Sequence, residues 1–446
     1  MASVLKVDKL DPQSGTALEI GTSGDTITVP TGAGLTVTDE VKTNKVSPAT
    51  GTAFALGDSG DTFTVPSGAT IVNSGTATGF GITQANFLPN ANPLIINGNM
   101  AISQRGTSFA AVGASDYTLD RYEMNQTMDS VVTITQEALT SGNAYADGFK
   151  TALKCDVTTA DATLTGSQKL LVQNTIEAQD LQSLKFGTAN AEKLTLSFWV
   201  KATKTGINII RMYAPDDNRS CSQSYTVDST DTWEKKVVNF PVDTTGVIDN
   251  NNGAGIMVAW CIAAGPDQQS GTLATAWATQ ASANDFVGQV NNVDSTSNNF
   301  HFTGVQLEVG EYTSTDLPPF RHESYGDSLA RCHRYYYFLA SEATNGGTDT
   351  TLCVTMQYNT SSMTAVIPFP ITMRTKPSID QLTGTNMYRV YENGSNATMD
   401  SLTLSAGGTN NFAVVSNGTS ITVTSGSAGN LQTMDGTASV AFDAEL

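Results

Sequence analysis

The chain has 446 residues, of which only 15% are charged, and a formal net charge of −19. A surface this acidic repels nucleic acid and anionic lipid headgroups, so neither is an expected partner. No apolar run approaches the length of a membrane-spanning helix, and the first residues lack the apolar block of a secretory signal. We therefore expect no membrane insertion. The chain should assemble in the cytoplasm that makes it, unless it leaves by a route that the sequence does not show.

An internal repeat occupies the N-terminal region. "GTSGDTITVP" (21–30) and "GDSGDTFTVP" (57–66) lie within two similar copies, 9–33 and 45–69. In each copy short apolar/Thr alternations flank a Gly-Asp turn, a pattern typical of a β-hairpin with one apolar face. Two hairpins cannot bury that face alone, but three chains around a common axis would cover it. We interpret residues 1–86 as a trimeric β-repeat stalk; the alternative is a small β domain or two β-solenoid coils.

Residues 87–320 are typical of a central jelly-roll-like β-sandwich. Short Val/Thr/Ile/Phe runs alternate with turns rich in Gly, Asn, Asp and Ser, so the predicted fold class is all-β. The strand candidates are "PLIING" (93–98), "SVVTITQEAL" (130–139), "LTLSFWVKA" (194–202), "GINIIRMYA" (206–214), "WEKKVVNFPV" (233–242), "GIMVAWCIAA" (255–264) and "NFHFTGVQLEVG" (299–310).

Tryptophan and cysteine positions separate core from surface. Trp199, Trp233 and Trp260 lie in apolar runs and are expected in the core. Trp277 lies in the polar stretch "TLATAWATQASAND" and is the best candidate for an exposed ring that stacks on a sugar. The cysteines are odd in number and widely spaced, which predicts free, buried thiols at Cys155, Cys221, Cys261, Cys332 and Cys353.

A short helical joint is predicted over 321–338, within "HESYGDSLARCHRYYYF" (322–338). Ser324 can cap this helix, with Asp327 three residues later in the first turn. Helical spacing then forms one apolar stripe from Tyr325, Leu329, Cys332 and Tyr336. The spacing of the histidines does not match a zinc site, and we predict no metal here.

Residues 339–446 return to β patterning and predict a compact C-terminal sandwich, the tip of the molecule. Its polar segments 341–350, 391–400 and 424–436 are expected to be loops on a rigid sheet, where recognition residues usually lie. Asn and Tyr side chains suit a hydroxyl-rich ligand. Besides Trp277, the candidate receptor-binding residues are Asn345, Tyr391, Asn393 and Asn396.

Several stretches resemble a domain of bacteriophage tail fibre proteins. They are "LIINGNMAISQRGTSF" (94–109), "YTLDRYEM" (117–124), "FTGVQLEVGEYTSTDLPPFRHESYGDSLARCHRYYYF" (302–338) and "FPITMRTKPSI" (369–379). The resemblance implies a homotrimeric fibre, held at its N-terminus by another tail protein such as a nozzle, adaptor or baseplate component. Its C-terminus would meet the host. "LTLSFWVKATKTG" and "TWEKKVVNF" also resemble parts of carbohydrate-binding β-sandwiches.

Within these motifs, Asp120 and Arg121 are adjacent in a β segment. Neighbouring side chains of a strand point to opposite faces, so the two should not pair with each other. We expect each of them to tie down a neighbouring loop.

Catalytic patterns are absent from the sequence. It contains no G-x-S-x-G, H-E-x-x-H, Walker or dinucleotide-binding glycine motif, and its acids form no pair that defines a hydrolase site. We expect no enzyme activity, metal or cofactor. The predicted function is that of a virion tail fibre that binds a host glycan or outer-membrane receptor. The alternatives are a tailspike depolymerase and a structural appendage whose adhesin is another chain.

Overall fold

A computed structural model of the protein describes residues 93–341, 349–434 and 436–446. These residues belong to one compact unit, and their fold is all-β, as predicted. The N-terminal repeat over 1–86 lies outside the described residues, and so does Asn345. The division of the chain at residues 86, 320 and 338 stays a prediction.

The first thirteen strands build a β-sandwich. Most are rich in Val, Ile, Leu, Phe and Thr, which pack well on a pleated surface. In chain order the strands are β1 Ser108–Ala110, β2 Asp116–Tyr117, β3 Tyr122–Gln126, β4 Val131–Ala138, β5 Thr151–Thr159, β6 Lys169–Glu177, β7 Leu194–Ala202, β8 Gly206–Ala214, β9 Arg219–Val227, β10 Glu234–Phe240, β11 Ala254–Ala264, β12 Ala278–Thr279 and β13 Asn299–Val309. One short helix, α1 (Asn143–Ala146), lies between β4 and β5.

Two antiparallel sheets share the core of this sandwich. Their strand orders are β1-β4-β5-β13-β7-β10 and β12-β9-β8-β11-β6-β3-β2. Side chains from both sheets meet at Trp260, whose ring stacks on Phe302 with centroids 4.9 Å apart. Phe198 meets the same indole edge to face at 5.9 Å. Burial of such rings is the dominant stabilising contribution to a core of this kind.

The predicted strand at 93–98 is wrong, because this segment forms consecutive turns. Asn97 adopts a left-handed conformation with a φ of 59°. Its side chain accepts a hydrogen bond from the Ile102 amide at 2.9 Å and donates one to the Ile102 carbonyl at 2.8 Å. The Asn97 side chain therefore bonds backbone groups that a neighbouring strand would bond in a sheet. Apolar patterning alone does not reveal this.

Ten further strands form a second pair of sheets. They are β14 Tyr336–Ser341, β15 Thr351–Asn359, β16 Ser362–Pro368, β17 Ser378–Gln381, β18 Tyr388–Glu392, β19 Ser395–Met399, β20 Leu402–Leu404, β21 Phe412–Asn417, β22 Ala428–Thr433 and β23 Ser439–Asp443. The strand orders are β14-β23-β17 and β19-β18-β22-β15-β16-β21-β20. Val440 and Phe442 of the small sheet share a buried cluster with Met363 and Val415 of the large one. We call the seven-stranded sheet the distal sheet.

Helix α2 spans Tyr325–His333, and its predicted cap is confirmed: the Ser324 hydroxyl accepts a hydrogen bond from the Asp327 amide at 3.1 Å. The predicted length and stripe are wrong in part. The helix ends at His333, and Tyr336 already belongs to β14. Cys332 is buried as expected, whereas Tyr325 is 65% exposed. At the N-terminal end of the helix the stripe is not buried, because no other element packs over the first turn.

Residues from the fibre-like motifs converge at the junction between the first sandwich and the second pair of sheets. The Arg121 guanidinium pairs with the Glu445 carboxylate, donates to the Thr175 carbonyl and lies 3.5 Å from the centroid of the Tyr335 ring. Arg105 contacts the same carboxylate at 3.3 Å. Burial would lower the pKa of Arg121, but the adjacent Glu445 carboxylate offsets this and raises it. The C-terminal residues thus complete a buried ion-pair cluster.

Asp120 takes a separate role from Arg121, although the two residues lie in a turn rather than in the expected β segment, with Arg121 at a φ of 72°. Its carboxylate accepts hydrogen bonds from the Gln104 backbone amide at 2.7 Å and from the Gln104 side chain. Gln104 also donates to the Tyr336 carbonyl at 2.8 Å. The adjacent Asp120 and Arg121 therefore each fasten a different segment, which confirms the structural interpretation of both residues.

The five cysteines are free thiols, as predicted; four are buried and Cys353 is half-buried. Among the residues that the structure describes, no helix combines the length and hydropathy needed to cross a membrane.

Candidate functional site

A tight hairpin at the edge of the distal sheet carries three of the predicted receptor-binding residues. Strands β18 and β19 are joined by Asn393 and Gly394, with φ angles of 49° and 78°. Two consecutive positive φ angles define the turn type whose twist matches a hairpin, and Asn-Gly is its preferred sequence. Residues 391–400, predicted to be a loop, are therefore mostly strand. The error matters because strands hold side chains more rigidly than loops do.

The centre of this site is the ring of Tyr391, which is 42% exposed. Tyr391 lies directly opposite Asn396 of β19 on one side and opposite Asn430 of β22 on the other. Directly opposed residues of antiparallel strands have Cβ atoms about 5 Å apart and share a face. Both amides are exposed, so an aromatic ring lies between two groups that can each donate and accept hydrogen bonds. We call Tyr391, Asn396 and Asn430 the tyrosine platform.

A cation borders the platform and is held in place. The Arg389 guanidinium lies 5.7 Å from the centroid of the Tyr391 ring. It donates to Gln432 of β22 at 2.8 Å and forms an ion pair with Asp349. Because its charge is compensated, Arg389 favours an uncharged polar ligand over an anion.

The inner side of the hairpin is anchored to a second predicted loop. Glu392 points away from the platform and is 8% exposed. Its carboxylate accepts hydrogen bonds from the Thr424 amide at 2.7 Å and from the Ser427 hydroxyl. The segments 391–400 and 424–436, distant in sequence, thus meet at this edge. A platform supported in this way is preorganised for a ligand.

The platform has the chemistry needed to bind a sugar. A tyrosine face can contact the C–H face of a pyranose ring, while its hydroxyl and the two amides can pair with sugar hydroxyls. The surface is open rather than enclosed, so each copy would bind weakly.

The expected exposure of Trp277 is wrong. The residue is 7% exposed, its indole N–H donates to the Pro241 carbonyl at 2.9 Å, and its ring meets Phe186 edge to face at 5.3 Å. The surrounding sequence is polar, but the ring fills the end of the sandwich core. Trp277 is therefore not available as a sugar platform, and it lies in the first sandwich rather than with Tyr391.

The core predictions for the other tryptophans hold for two of the three. Trp260 and Trp233 are buried, but Trp199 is only half-buried and its N–H donates to Asp147 at 3.0 Å. Trp199 lies on the outer face of its sheet, because its sequence neighbours Phe198 and Val200 face the core.

Asn430 and Arg389 were not singled out from the sequence. Asn430 lies in the segment 424–436, which is predicted to be a loop, and only its pairing through β22 brings it beside Tyr391. A usable signal was present: "YRVYENGSNATM" has apolar and polar residues alternating on both sides of Asn-Gly. This pattern predicts a hairpin and places Arg389 and Tyr391 on one face.

The outer face of the seven-stranded sheet in the first sandwich is covered. Phe286 packs against Ile209, Ala259 and Cys261 of that face. Beside it, Arg211 and Asp285 form a buried ion pair of 2.8 Å. This polar cluster therefore serves to hold a covering loop.

The outer face of the six-stranded sheet in the first sandwich carries ionisable side chains of both signs, including His301 and Glu137. His301 is 2% exposed, with Nδ1 2.7 Å from the Glu137 carboxylate and Nε2 2.8 Å from the Asn299 side-chain oxygen. Burial lowers the pKa of His301, although Glu137 opposes this. The hydrogen bond from His301 in turn lowers the pKa of Glu137. The Glu137 carboxylate also pairs with the Lys201 ammonium at 4.0 Å. Within the described residues, no three His, Cys, Asp or Glu side chains form a group that could hold a metal ion.

Comparison with known proteins does not assign the chain to a family. No family model and no curated protein matches the chain. Among solved structures, the enzymatically active domain of a tailspike protein of bacteriophage CBA120 is 14% identical, with a TM-score of 0.25, and the match covers 45% of this chain and 21% of that one. A putative sugar-binding protein of Bacteroides thetaiotaomicron is 16% identical, with a TM-score of 0.28 and coverage of 49% and 99%. A family 11 carbohydrate-binding module of Clostridium thermocellum is 11% identical, with a TM-score of 0.24 and coverage of 46% and 98%. These similarities are too low to assign a family or a function.

Proposed function

We propose that the chain is a non-enzymatic phage tail fibre, trimeric in the virion, that binds a neutral glycan of the host surface through the tyrosine platform. The observation that carries the proposal is the exposed Tyr391 ring between Asn396 and Asn430 on a rigid sheet edge. Residues 1–86 would connect the fibre to another tail protein. The convergence of the fibre-like motifs at one buried junction supports the assignment, since it gives Arg105 and Arg121 a shared role.

Binding without cleavage is supported by the state of two acids on the candidate surfaces, Glu137 and Glu392. A polysaccharide hydrolase requires a carboxyl group whose raised pKa keeps it protonated as the general acid. Glu137, on the open face of the first sandwich, has a lowered pKa because His301 hydrogen-bonds to it. Glu392 faces away from the platform and accepts two hydrogen bonds. Neither acid suits the role.

The test is binding of the full-length protein to arrayed, structurally defined oligosaccharides from bacterial lipopolysaccharides. Tyr391→Ala removes the ring that a sugar would cover. We expect a loss of about 2 kcal/mol per site, the level of a binding hot spot, which corresponds to about 30-fold in affinity. Tyr391→Phe keeps the ring and should lose less.

The matched control is Tyr325→Ala, which removes another exposed tyrosine, on helix α2. It should leave the binding unchanged. Equal binding by Tyr391→Ala and the wild-type chain would overturn the platform. Release of soluble oligosaccharide from the bound polysaccharide would instead support the tailspike alternative. Failure of the wild-type chain to bind any glycan or host cell would favour an appendage whose adhesin is another chain.

A further inference from the structure

An open cleft lies between two loops of the first sandwich. One wall is formed by residues 162–164, in the loop that joins β5 to β6, and the other by residues within 264–270, where β11 ends. Asn291, in the segment before β13, also lines it. The cleft has a volume of about 590 Å³, within the range of about 300–1,000 Å³ that is typical of small-molecule sites. We call it the loop cleft.

Backbone hydrogen bonds hold the walls of the loop cleft together. The Asp267 amide donates to the Gly166 carbonyl at 3.0 Å. The Gly265 amide donates to the Gln168 carbonyl at 2.7 Å. The Asn291 side chain donates to a backbone carbonyl of the β5–β6 loop at 2.9 Å. These bonds join both walls and the segment before β13, so the cleft is preorganised and little ordering entropy opposes binding.

The residues that line the cleft are both apolar and polar, and all of them are uncharged. Leu164 and Pro266 provide the larger apolar surfaces, one on each wall. Thr163 and Ser270, also on opposite walls, carry hydroxyls that have no hydrogen-bond partner within the described residues. The Gln269 amide nitrogen donates to a backbone carbonyl at 2.6 Å, which leaves its side-chain oxygen as an acceptor.

This chemistry selects the class of ligand. A charged molecule would meet no counter-ion on these walls, and the net charge of −19 further disfavours an anion. A purely apolar molecule would desolvate the two hydroxyls without giving them partners. A pyranose ring offers an apolar C–H face together with hydroxyls that donate and accept. We propose that the loop cleft is a second saccharide site, which binds a neutral oligosaccharide.

The loop cleft goes beyond the proposed function, because it shares no residue with the tyrosine platform. The platform lies on β18, β19 and β22 of the distal sheet, whereas the cleft belongs to the first sandwich. Two weak sites in one chain can hold two parts of one polysaccharide, and the second contact then forms at a high effective concentration. Binding at the cleft does not need Tyr391, so the two sites can be measured separately.

The experiment uses the full-length chain and the same arrayed oligosaccharides. Ala162→Trp places a large ring in the cleft, and Ala162 is exposed, so the fold should tolerate the change. The matched control is Ala189→Trp, at another exposed loop alanine that does not line the cleft. We expect Ala162→Trp to lose at least about tenfold in affinity for neutral oligosaccharides that Tyr391→Ala still binds. The control should leave this affinity unchanged.

A second variant removes a single hydroxyl and keeps the shape of the side chain. Thr163→Val should weaken binding of the same oligosaccharides about threefold, the level of one neutral hydrogen bond. The Tm of each variant is measured beside its affinity. An unchanged Tm with weaker binding assigns the loss to the cleft rather than to unfolding.

The possible outcomes separate the loop cleft from the tyrosine platform. Equal binding by Ala162→Trp and Ala189→Trp would overturn the cleft and leave the platform intact. Loss of all binding in Tyr391→Ala would also overturn the cleft, because every contact would then depend on the platform. Weaker binding of acidic oligosaccharides alone would contradict the neutral class. Loss in Ala162→Trp without any loss in Tyr391→Ala would support the cleft and reject the platform. Failure of the wild-type chain to bind any of them would reject both sites.

Discussion

Removal of the Glu445 side chain should destabilise the protein more than removal of most acidic residues. Glu445→Ala leaves the Arg121 guanidinium, whose side chain is 1% exposed, without its carboxylate partner. Arg105 also loses a contact of 3.3 Å but keeps Asp443 at 3.0 Å. Arg121 is thus the group that would be left buried with an uncompensated charge.

The expected cost follows from that burial. Removing one partner of a buried ion pair typically costs about 3–5 kcal/mol, because the remaining charge is neither hydrated nor paired. The unfolding entropy of roughly 350 residues is about 0.7 kcal/mol per kelvin, so the expected fall in Tm is about 4–7 °C if they unfold cooperatively. Glu445→Gln keeps a hydrogen-bond acceptor beside Arg121, so it should lower Tm by less than Glu445→Ala does.

Calorimetry of the full-length chain at neutral pH gives this shift directly. The matched control is Glu311→Ala, since Glu311 pairs with Lys193 at 2.6 Å but both side chains are about half exposed, at 56% and 43%. An exposed pair contributes at most about 1 kcal/mol, so the control should change Tm by less than about 2 °C. Equal shifts for the two variants would refute the assignment of Glu445 to a buried junction.

Two further predictions concern other buried groups. The folded-state pKa of His301 is lowered, so the unfolded chain binds more protons near pH 6, and stability should fall as the pH drops below about 6.5. His301→Gln should therefore lose less Tm between pH 7.5 and 5.5 than the wild-type chain; an unchanged slope would contradict this. Burial raises the pKa of Cys353 to about 11 and that of Cys155 to about 12, so native thiols should react slowly with an aromatic disulfide reagent. We expect Cys353 to react first and all five to react after denaturation; rapid labelling of Cys155 in the native protein would contradict the packing.

Local chemistry made part of the architecture predictable. The all-β class, the Ser324 cap and six of the seven strand candidates in the first sandwich follow closely from residue patterns. Each depends on interactions within a few residues: side-chain alternation, a hydroxyl beside an amide, or a run of β-branched residues between turns.

Burial of particular side chains depended on long-range packing. Trp277 lies in a polar stretch, yet Phe186 and the Pro241 carbonyl surround it from other parts of the chain. Tyr325 has helical spacing to Cys332 but meets no packed layer and stays exposed. Periodicity describes which residues share a face, but it does not say whether another layer covers that face.

The sequence alone thus determined the all-β class and the capped helix, because strand alternation and cap chemistry are local. It also indicated Tyr391 and Asn396 as candidates, from their residue types in a polar segment that was expected to be a loop. Only the tertiary structure placed Asn430 beside Tyr391, paired Glu445 with Arg121 and left Val354 and Met356 exposed. Those outcomes depend on which strands become neighbours in a sheet. That choice is set by the packing of the whole core rather than by any short segment.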